Sequence, residues 1–142
     1  MLIGAAKRLT TGKATGIDMW LQDSQFNNNI DATLNNARLE GVSDRVTVRR
    51  ADAHDLPYDN NVFDVVLSSW VIHTMLDPDD RKQVMKEIAR VVKPGGHVVI
   101  ADFDFVQEYQ KYFNDKDWLD VSRSGPNWMF VTPTYILRAK KP

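Results

Sequence analysis

The stretch from Val62 to Ala101 constrains this chain most. It holds an apolar run at Val62–Ser68, a helical pattern at Asp79–Val92 and a second apolar run at His97–Ala101. Strands that alternate with helices in this way predict an α/β domain with a mainly parallel sheet. Within the first run, Val65-Val66-Leu67 lacks the alternation of a half-solvated strand, which predicts burial on both faces. The helix is the clearest of all: Val84, Ile88, Val91 and Val92 recur at i, i+4, i+7 and i+8. Asp77, Asp79 and Asp80 near its start favour the helix dipole, and Pro94 with Gly95-Gly96 is expected to end it.

The same pattern extends in both directions. Leu2–Leu9 predicts a short helix with Leu2, Ala5, Ala6 and Leu9 on one face, although no capping residue precedes it. Ala14–Asp18 predicts a strand. Asn27–Glu40 predicts a helix with Ile30, Leu34 and Ala37 facing inward and Gly41 at the position after its end. Val46–Arg50 predicts another strand. Beyond Ala101, Phe105–Phe113 reads as a helix with Val106, Tyr109 and Phe113 on one side, and Val121–Ser124 and Thr134–Arg138 read as strands.

Composition narrows the function classes. A chain of 142 residues suits one domain, residues 1–142, better than two. Its net charge is −1 with Lys and Arg spread along the chain, so neither nucleic acid nor a membrane surface is an expected partner. No apolar run approaches the roughly 18–20 residues of a membrane span, and Met1–Lys13 does not read as a signal peptide. Cysteine is absent, which excludes disulfides, a thiolate nucleophile and a cysteine zinc site and fits a reducing, cytoplasmic location.

In parallel sheets ligands bind beyond the carboxyl ends of the strands, so the residues there carry the candidate chemistry. Asp18 follows the first strand and can accept from both hydroxyls of a ribose. Asp52 and Ala53 follow the second. Asp52 can accept from an exocyclic adenine amine while the Ala53 N–H donates to a ring nitrogen; an acidic turn is the plainer alternative. Ser68-Ser69-Trp70-Val71-Ile72-His73 follows the third strand, where small residues let a ligand approach the backbone. Trp70 and His73 also suit plain packing roles. No second histidine, glutamate or cysteine lies at ligand spacing around His73, so no metal site is expected. Asp102 and Asp104 follow the fourth strand. Paired carboxylates can do acid–base work, but a solvated strand end accounts for them as well.

Taken in order, Asp18 in Gly16-Ile17-Asp18-Met19-Trp20, Asp52-Ala53, Phe63–His73 and Val91–Phe103 resemble the class I S-adenosylmethionine (SAM)-dependent methyltransferases, and within them the small bacterial type 11, ubiquinone-methylase-like subgroup. The resemblance covers nearly the whole chain. It implies a Rossmann-like sheet with flanking helices and an antiparallel last strand. It implies SAM as cofactor, with Asp18 on the ribose hydroxyls, Met19 and Trp20 lining the adenine, Asp52 and Ala53 on the adenine edge, and the Ser68 region meeting the methionine amine. The other partner implied is a small-molecule methyl acceptor. No residue is forced as catalyst; His73 and Trp70 are the candidates.

The family's first, central strand and its glycine-rich turn are not matched in these residues, so the chain reads as N-terminally incomplete. That leaves unpaired strand edges beside Ala14–Asp18 and Val62–Ser68, which invite self-association. It also keeps open a catalytically inactive, partner-binding alternative. A nicotinamide dehydrogenase is a weaker reading: Tyr112 and Lys116 have the spacing of short-chain dehydrogenases, but no serine lies between Ser69 and Ser122. A phosphate loop fails because Ala14 follows Gly12-Lys13.

Overall fold

The computed structural model describes residues 1–21, 28–128 and 132–142, which fall into two compact units, Met1–Ala53 and His54–Pro142. In the first unit the elements are helix α1 (Leu2–Ala6), strand β1 (Ala14–Asp18), helix α2 (Ile30–Leu39) and strand β2 (Val46–Arg50). Strands β1 and β2 pair in parallel, from Ala14 opposite Val46 to Asp18 opposite Arg50. Ala6, Ala37, Val42 and Val46 form the buried centre, with Leu2, Ile3, Ala14 and Val48 packed against it. Small residues let α1 approach β1 closely: a Cβ on Gly16 would lie 2.7 Å from the Leu2 side chain.

Three expectations need correction here. Helix α1 stops at Ala6 because the Arg8 and Leu9 amides donate to Ala5 and Ala6, a tightened last turn that ends the helix before Leu9. Helix α2 starts at Ile30 because the extended Asn29 caps it, its side chain accepting from the Ala32 amide at 2.7 Å. Asn27, the expected first residue, lies outside the described residues. Leu34, expected to face inward, is 42% exposed, and Ala37 alone in α2 is buried. Gly41 does stand after the helix, with φ of +69°, where a side chain would be strained.

The second unit holds β3 (Phe63–Ser69), α3 (Pro78–Val91), β4 (Val92–Asp102), α4 (Val106–Asn114), β5 (Leu119–Asn127) and β6 (Thr134–Lys140). Its sheet runs β3-β4-β6-β5, with β3 and β4 parallel and β6 antiparallel to both β4 and β5. A parallel part with flanking helices and an antiparallel last strand make the fold α/β and Rossmann-like. Asp77 caps α3 through the Asp79 amide at 2.9 Å, and Pro78 occupies the first turn. Val84, Ile88 and Val91 are buried as their spacing requires, and so are Val106, Tyr109 and Phe113 of α4. Each such side chain contributes about 1.5–3 kcal/mol.

Two further expectations fail in this unit. Val65 and Leu67 are 51% and 39% exposed rather than buried on both faces. Among the described residues β3 pairs with β4 alone, and β1 with β2 alone, so each keeps an open edge. Nor does a turn separate α3 from β4. Val92 already pairs with Phe63, and the register then shifts before Val65 meets His97. Gly96 permits this, since a Cβ there would lie 2.9 Å from the Asp64 carbonyl. The final strands are also longer than Val121–Ser124 and Thr134–Arg138 suggested.

Candidate functional site

In the first unit the candidate residues gather at one end of the parallel pair. Asp18 closes β1 opposite Arg50, and the Ala51 amide donates to the Asp18 carbonyl at 3.2 Å, extending the ladder towards Asp52. Asp18 Oδ1 accepts from the Trp20 amide at 2.7 Å and from Asn28 Nδ2 at 3.2 Å. Its Oδ2 takes no hydrogen bond among the described residues. Trp20 adopts a left-handed backbone with φ of +55°, and its indole N–H donates to the Arg49 carbonyl at 3.3 Å. This tight turn holds Trp20 beside the strand end and leaves Met19 38% exposed. Asp52 is exposed and Ala53 half-buried just past β2. Asp18, Met19, Trp20, Asp52 and Ala53 thus share one strand-end edge. A carboxylate with a free oxygen suits a vicinal diol, and the adjacent indole suits a flat ring.

In the second unit Ser68 and Ser69 end β3 opposite Ile100 and Ala101, with Ser68 half-buried. The Trp70 amide donates to the Ala101 carbonyl at 2.9 Å, and its indole N–H donates to Thr134 Oγ1 at 3.2 Å. Its ring meets Phe103 edge-on with centroids 5.4 Å apart, a packing geometry. A 3₁₀ turn at Ile72–Thr74, anchored by the buried Ile72, then presents His73.

His73 does not stand alone. Asp102 Oδ2 accepts from the His73 backbone amide at 3.2 Å, and Asp102 Oδ1 lies 2.6 Å from His73 Nδ1. Oδ1 also accepts from the Phe103 amide at 3.0 Å. The His73 ring rests on Phe103, centroids 4.1 Å apart. Nδ1 is buried, and its N–H direction is not aligned on the carboxylate oxygen despite the short separation. Such contacts commonly tighten when a reacting complex forms.

Asp102 corrects the expectation of a solvated pair. It is fully buried, whereas Asp104 is exposed and accepts from the Phe105 amide at 2.8 Å. Burial pushes the Asp102 carboxyl up from its ordinary value, and His73 with the two backbone amides acts in the opposite direction. The period-2 pattern of β4 carried the signal, because Asp102 is in phase with the buried Val98 and Ile100.

A groove of about 250 Å³ also runs between α3 and α4, lined by Pro78, Arg81, Met85, Tyr109, Lys111 and Tyr112 among others. None of the residues expected to hold SAM or to act as catalyst lines it. Arg81, 3% exposed, closes one end. It donates to both Glu108 oxygens at 2.9 and 3.0 Å, and to the Met75 and Leu76 carbonyls at 2.8 and 2.9 Å. Sequence patterning missed Arg81 because it stands at a helix start that otherwise reads as solvated.

Comparison with known proteins identifies the family. A methyltransferase-domain family model matches residues 4–100. Methyltransferase GfsG of Streptomyces halstedii is 44% identical over 75 residues, 53% of this chain and 26% of that protein. The ubiquinone/menaquinone biosynthesis C-methyltransferase UbiE of Idiomarina loihiensis is 36% identical over 66 residues, 46% of this chain and 25% of that protein. The chain therefore matches about a quarter of the length of these relatives. In fold it resembles the N-methyltransferase NodS of Bradyrhizobium japonicum, solved with S-adenosyl-L-homocysteine, at a TM-score of 0.70 and 13% identity over 92% of this chain and 67% of that one. The chain belongs to the SAM-dependent methyltransferase family, whose cofactor is SAM.

Proposed function

We propose that this chain, read as one methyltransferase-type domain over residues 1–142, transfers a methyl group from SAM to a small molecule in the cytoplasm. The observation that carries the reading is the gathering of Asp18, Met19, Trp20, Asp52 and Ala53 at one end of the β1–β2 pair. Asp18 holds the ribose hydroxyls through Oδ2, which takes no hydrogen bond among the described residues. Met19 and Trp20 flank the adenine, and Asp52 with the Ala53 amide meets its edge. When bound, SAM supplies an electrophilic sulfonium methyl. The chain's own residues contribute position and orientation, which are most of what such a displacement needs. Of the two catalytic candidates, Trp70 is committed to Thr134 and Phe103, which leaves His73 as the base.

Calorimetric titration of the full chain with SAM tests this. Micromolar binding is expected. Asp18→Ala is expected to weaken it by about 10- to 100-fold, the worth of hydrogen bonds to a charged acceptor. No heat up to millimolar SAM would overturn the reading in favour of an inactive, partner-binding domain.

The open edge of β3, with Val65 51% and Leu67 39% exposed, favours a second property, self-association. Sedimentation across a concentration series tests it. A chain that stays monomeric at the highest concentration reached would exclude this role.

A further inference from the structure

The backbone of β3 divides its residues between two edges. The Trp70 amide donates to the Ala101 carbonyl, so by the alternation of a strand the backbone groups of Val66 and Ser68 also turn towards β4. Those of Val65, Leu67 and Ser69 turn to the other edge, where no strand pairs with them among the described residues. Edges of this kind are normally blunted by lysine, proline or a bulge. From Val65 to Ser69 there is none of these. The register with β4 is regular over those residues, and the one charge of the strand, Asp64, is tied back to Lys93 at 2.8 Å. Between Val62 and Trp70 four large apolar side chains are exposed: Val62, Val65, Leu67 and Trp70. Their spacing is symmetric about Val66, with Val65 and Leu67 one residue to either side and Val62 and Trp70 four.

We propose that β3 is a self-recognition strand: two copies of this chain pair antiparallel through their β3 edges, about a two-fold axis at Val66, and join their sheets into one. The inference rests on the self-association reading and names its partner and register. An antiparallel pair with a two-fold axis has the symmetry of the exposed side chains, so one sequence supplies both halves of the contact. Val65 of one copy stands opposite Leu67 of the other, and Val62 opposite Trp70. Val65 and Leu67 have outward backbone groups and form the hydrogen-bonded pairs, while the two Val66 residues meet in a non-hydrogen-bonded pair. No like charges meet, because Asp64 comes opposite Ser68. Neighbouring axes fit worse. An axis at Val65 sets Val62 against Ser68 and Trp70 against Asn60, and an axis at Leu67 sets Val65 against Ser69 and Trp70 against Asp64. Because paired antiparallel strands run in opposite directions, each copy brings Val62 beside the loop that carries His73 of the other.

The chain has no cysteine, so a thiol introduced into the full chain reports only its own surroundings. In the proposed register the two Val66 Cα atoms lie about 4.5 Å apart, within the roughly 4.4–6.8 Å that a disulfide spans. Val66→Cys is expected to oxidise to a covalent dimer about 10-fold or more faster than Leu76→Cys, whose site is 84% exposed but lies away from the axis. Val65 and Leu67 are exposed, so cysteines there leave the fold intact and decide the matter even if Val66→Cys does not fold. A mixture of Val65→Cys and Leu67→Cys chains is expected to cross-link between the two variants, whereas two Val65 sites lie on a diagonal about 7–8 Å apart and cross-link poorly. Sedimentation supplies the other arm. Leu67→Lys puts a charge on the edge without touching the ladder to β4 and is expected to weaken the dimer by about 10-fold or more. A chain that stays monomeric at every concentration would overturn the self-association reading and this inference together. A chain that associates, yet cross-links no faster at Val66 than at Leu76, or within Val65→Cys alone as readily as in the mixture, would overturn the register while self-association stands.

Discussion

Replacing Arg81 by methionine tests how the loop that carries Trp70 and His73 is held in place. Arg81 is 3% exposed, and its guanidinium bridges three segments: the Met75 and Leu76 carbonyls at the end of that loop, Glu108 of α4, and the ring of Phe105, whose centroid lies 3.8 Å from the guanidinium carbon. The contributions differ in weight. Glu108 is 49% exposed, so its share is screened and amounts to about 0–1 kcal/mol. The two bonds to carbonyls come from a charged donor and are worth about 1.5 kcal/mol each at the low end. The stacking on Phe105 adds about 0.5–2 kcal/mol. Methionine keeps the packing volume but none of the donors, so Arg81→Met is expected to destabilise the second unit by about 3.5–6 kcal/mol. Lysine keeps the charge without the planar fork, and Arg81→Lys is expected to recover less than half of the loss. Amide hydrogen exchange in α3 and α4 reads the effect locally, where about 3.5 kcal/mol, the low end, appears as a loss of protection of roughly 300-fold. A loss below about 1 kcal/mol would show that the carbonyls find water as readily as they find Arg81, and the clamp argument would fall.

Glu87 gives a pH dependence of definite sign. Its side chain is 8% exposed, accepts from Arg90 at 2.6 and 2.8 Å and from the Leu56 amide at 2.9 Å, and the Arg90 bonds chiefly hold its carboxyl below the ordinary 4.5. A lowered folded value means stability present above 4.5 and lost as pH falls through the folded value, and Glu87→Gln is expected to flatten that acid limb in urea titrations from pH 7 to 3. Tyr109 buries a hydroxyl that has no hydrogen-bond partner among the described residues, and burial pushes its ionisation well above the ordinary 10.0. Tyr109→Phe is therefore expected to leave thermal stability unchanged or to raise it by about 1 kcal/mol, whereas a loss of similar size would reveal a bond to that oxygen. Gly96→Ala would put a methyl 2.9 Å from the Asp64 carbonyl and is expected to cost about 1–3 kcal/mol in thermal unfolding; an unchanged melting temperature would show that the two strands can separate there.

Much of the architecture was legible because local signals and packing agree. In α3, Asp77 and Pro78 mark the start, and Val84, Ile88 and Val91 lie on the face that the sheet covers. Asp18 and Asp52 come to one edge for a reason visible in the sequence, since parallel neighbours end on the same side. The misses have identifiable causes. Val65 and Leu67 have the composition of a fully buried strand, but burial depends on what lies beyond the strand, which its own residues do not encode. Leu34 shows the same limit on a helix. The pairing of His73 with Asp102 joins residues 29 apart in sequence, so adjacency along the chain hides it. The alternation of Val98, Ile100 and Asp102 revealed half of that pair, the inward aspartate.

The Lys93–Gly96 step between α3 and the regular part of β4 has a consequence of its own. It sets the phase in which Val98, Ile100 and Asp102 all turn inward. Adding or deleting one residue there would rotate every following side chain to the opposite face and carry the carboxylate into solvent along with the valine and isoleucine. Hydrophobic cohesion thus polices the aim of the imidazole: the chain cannot misplace Asp102 without also exposing its own interior.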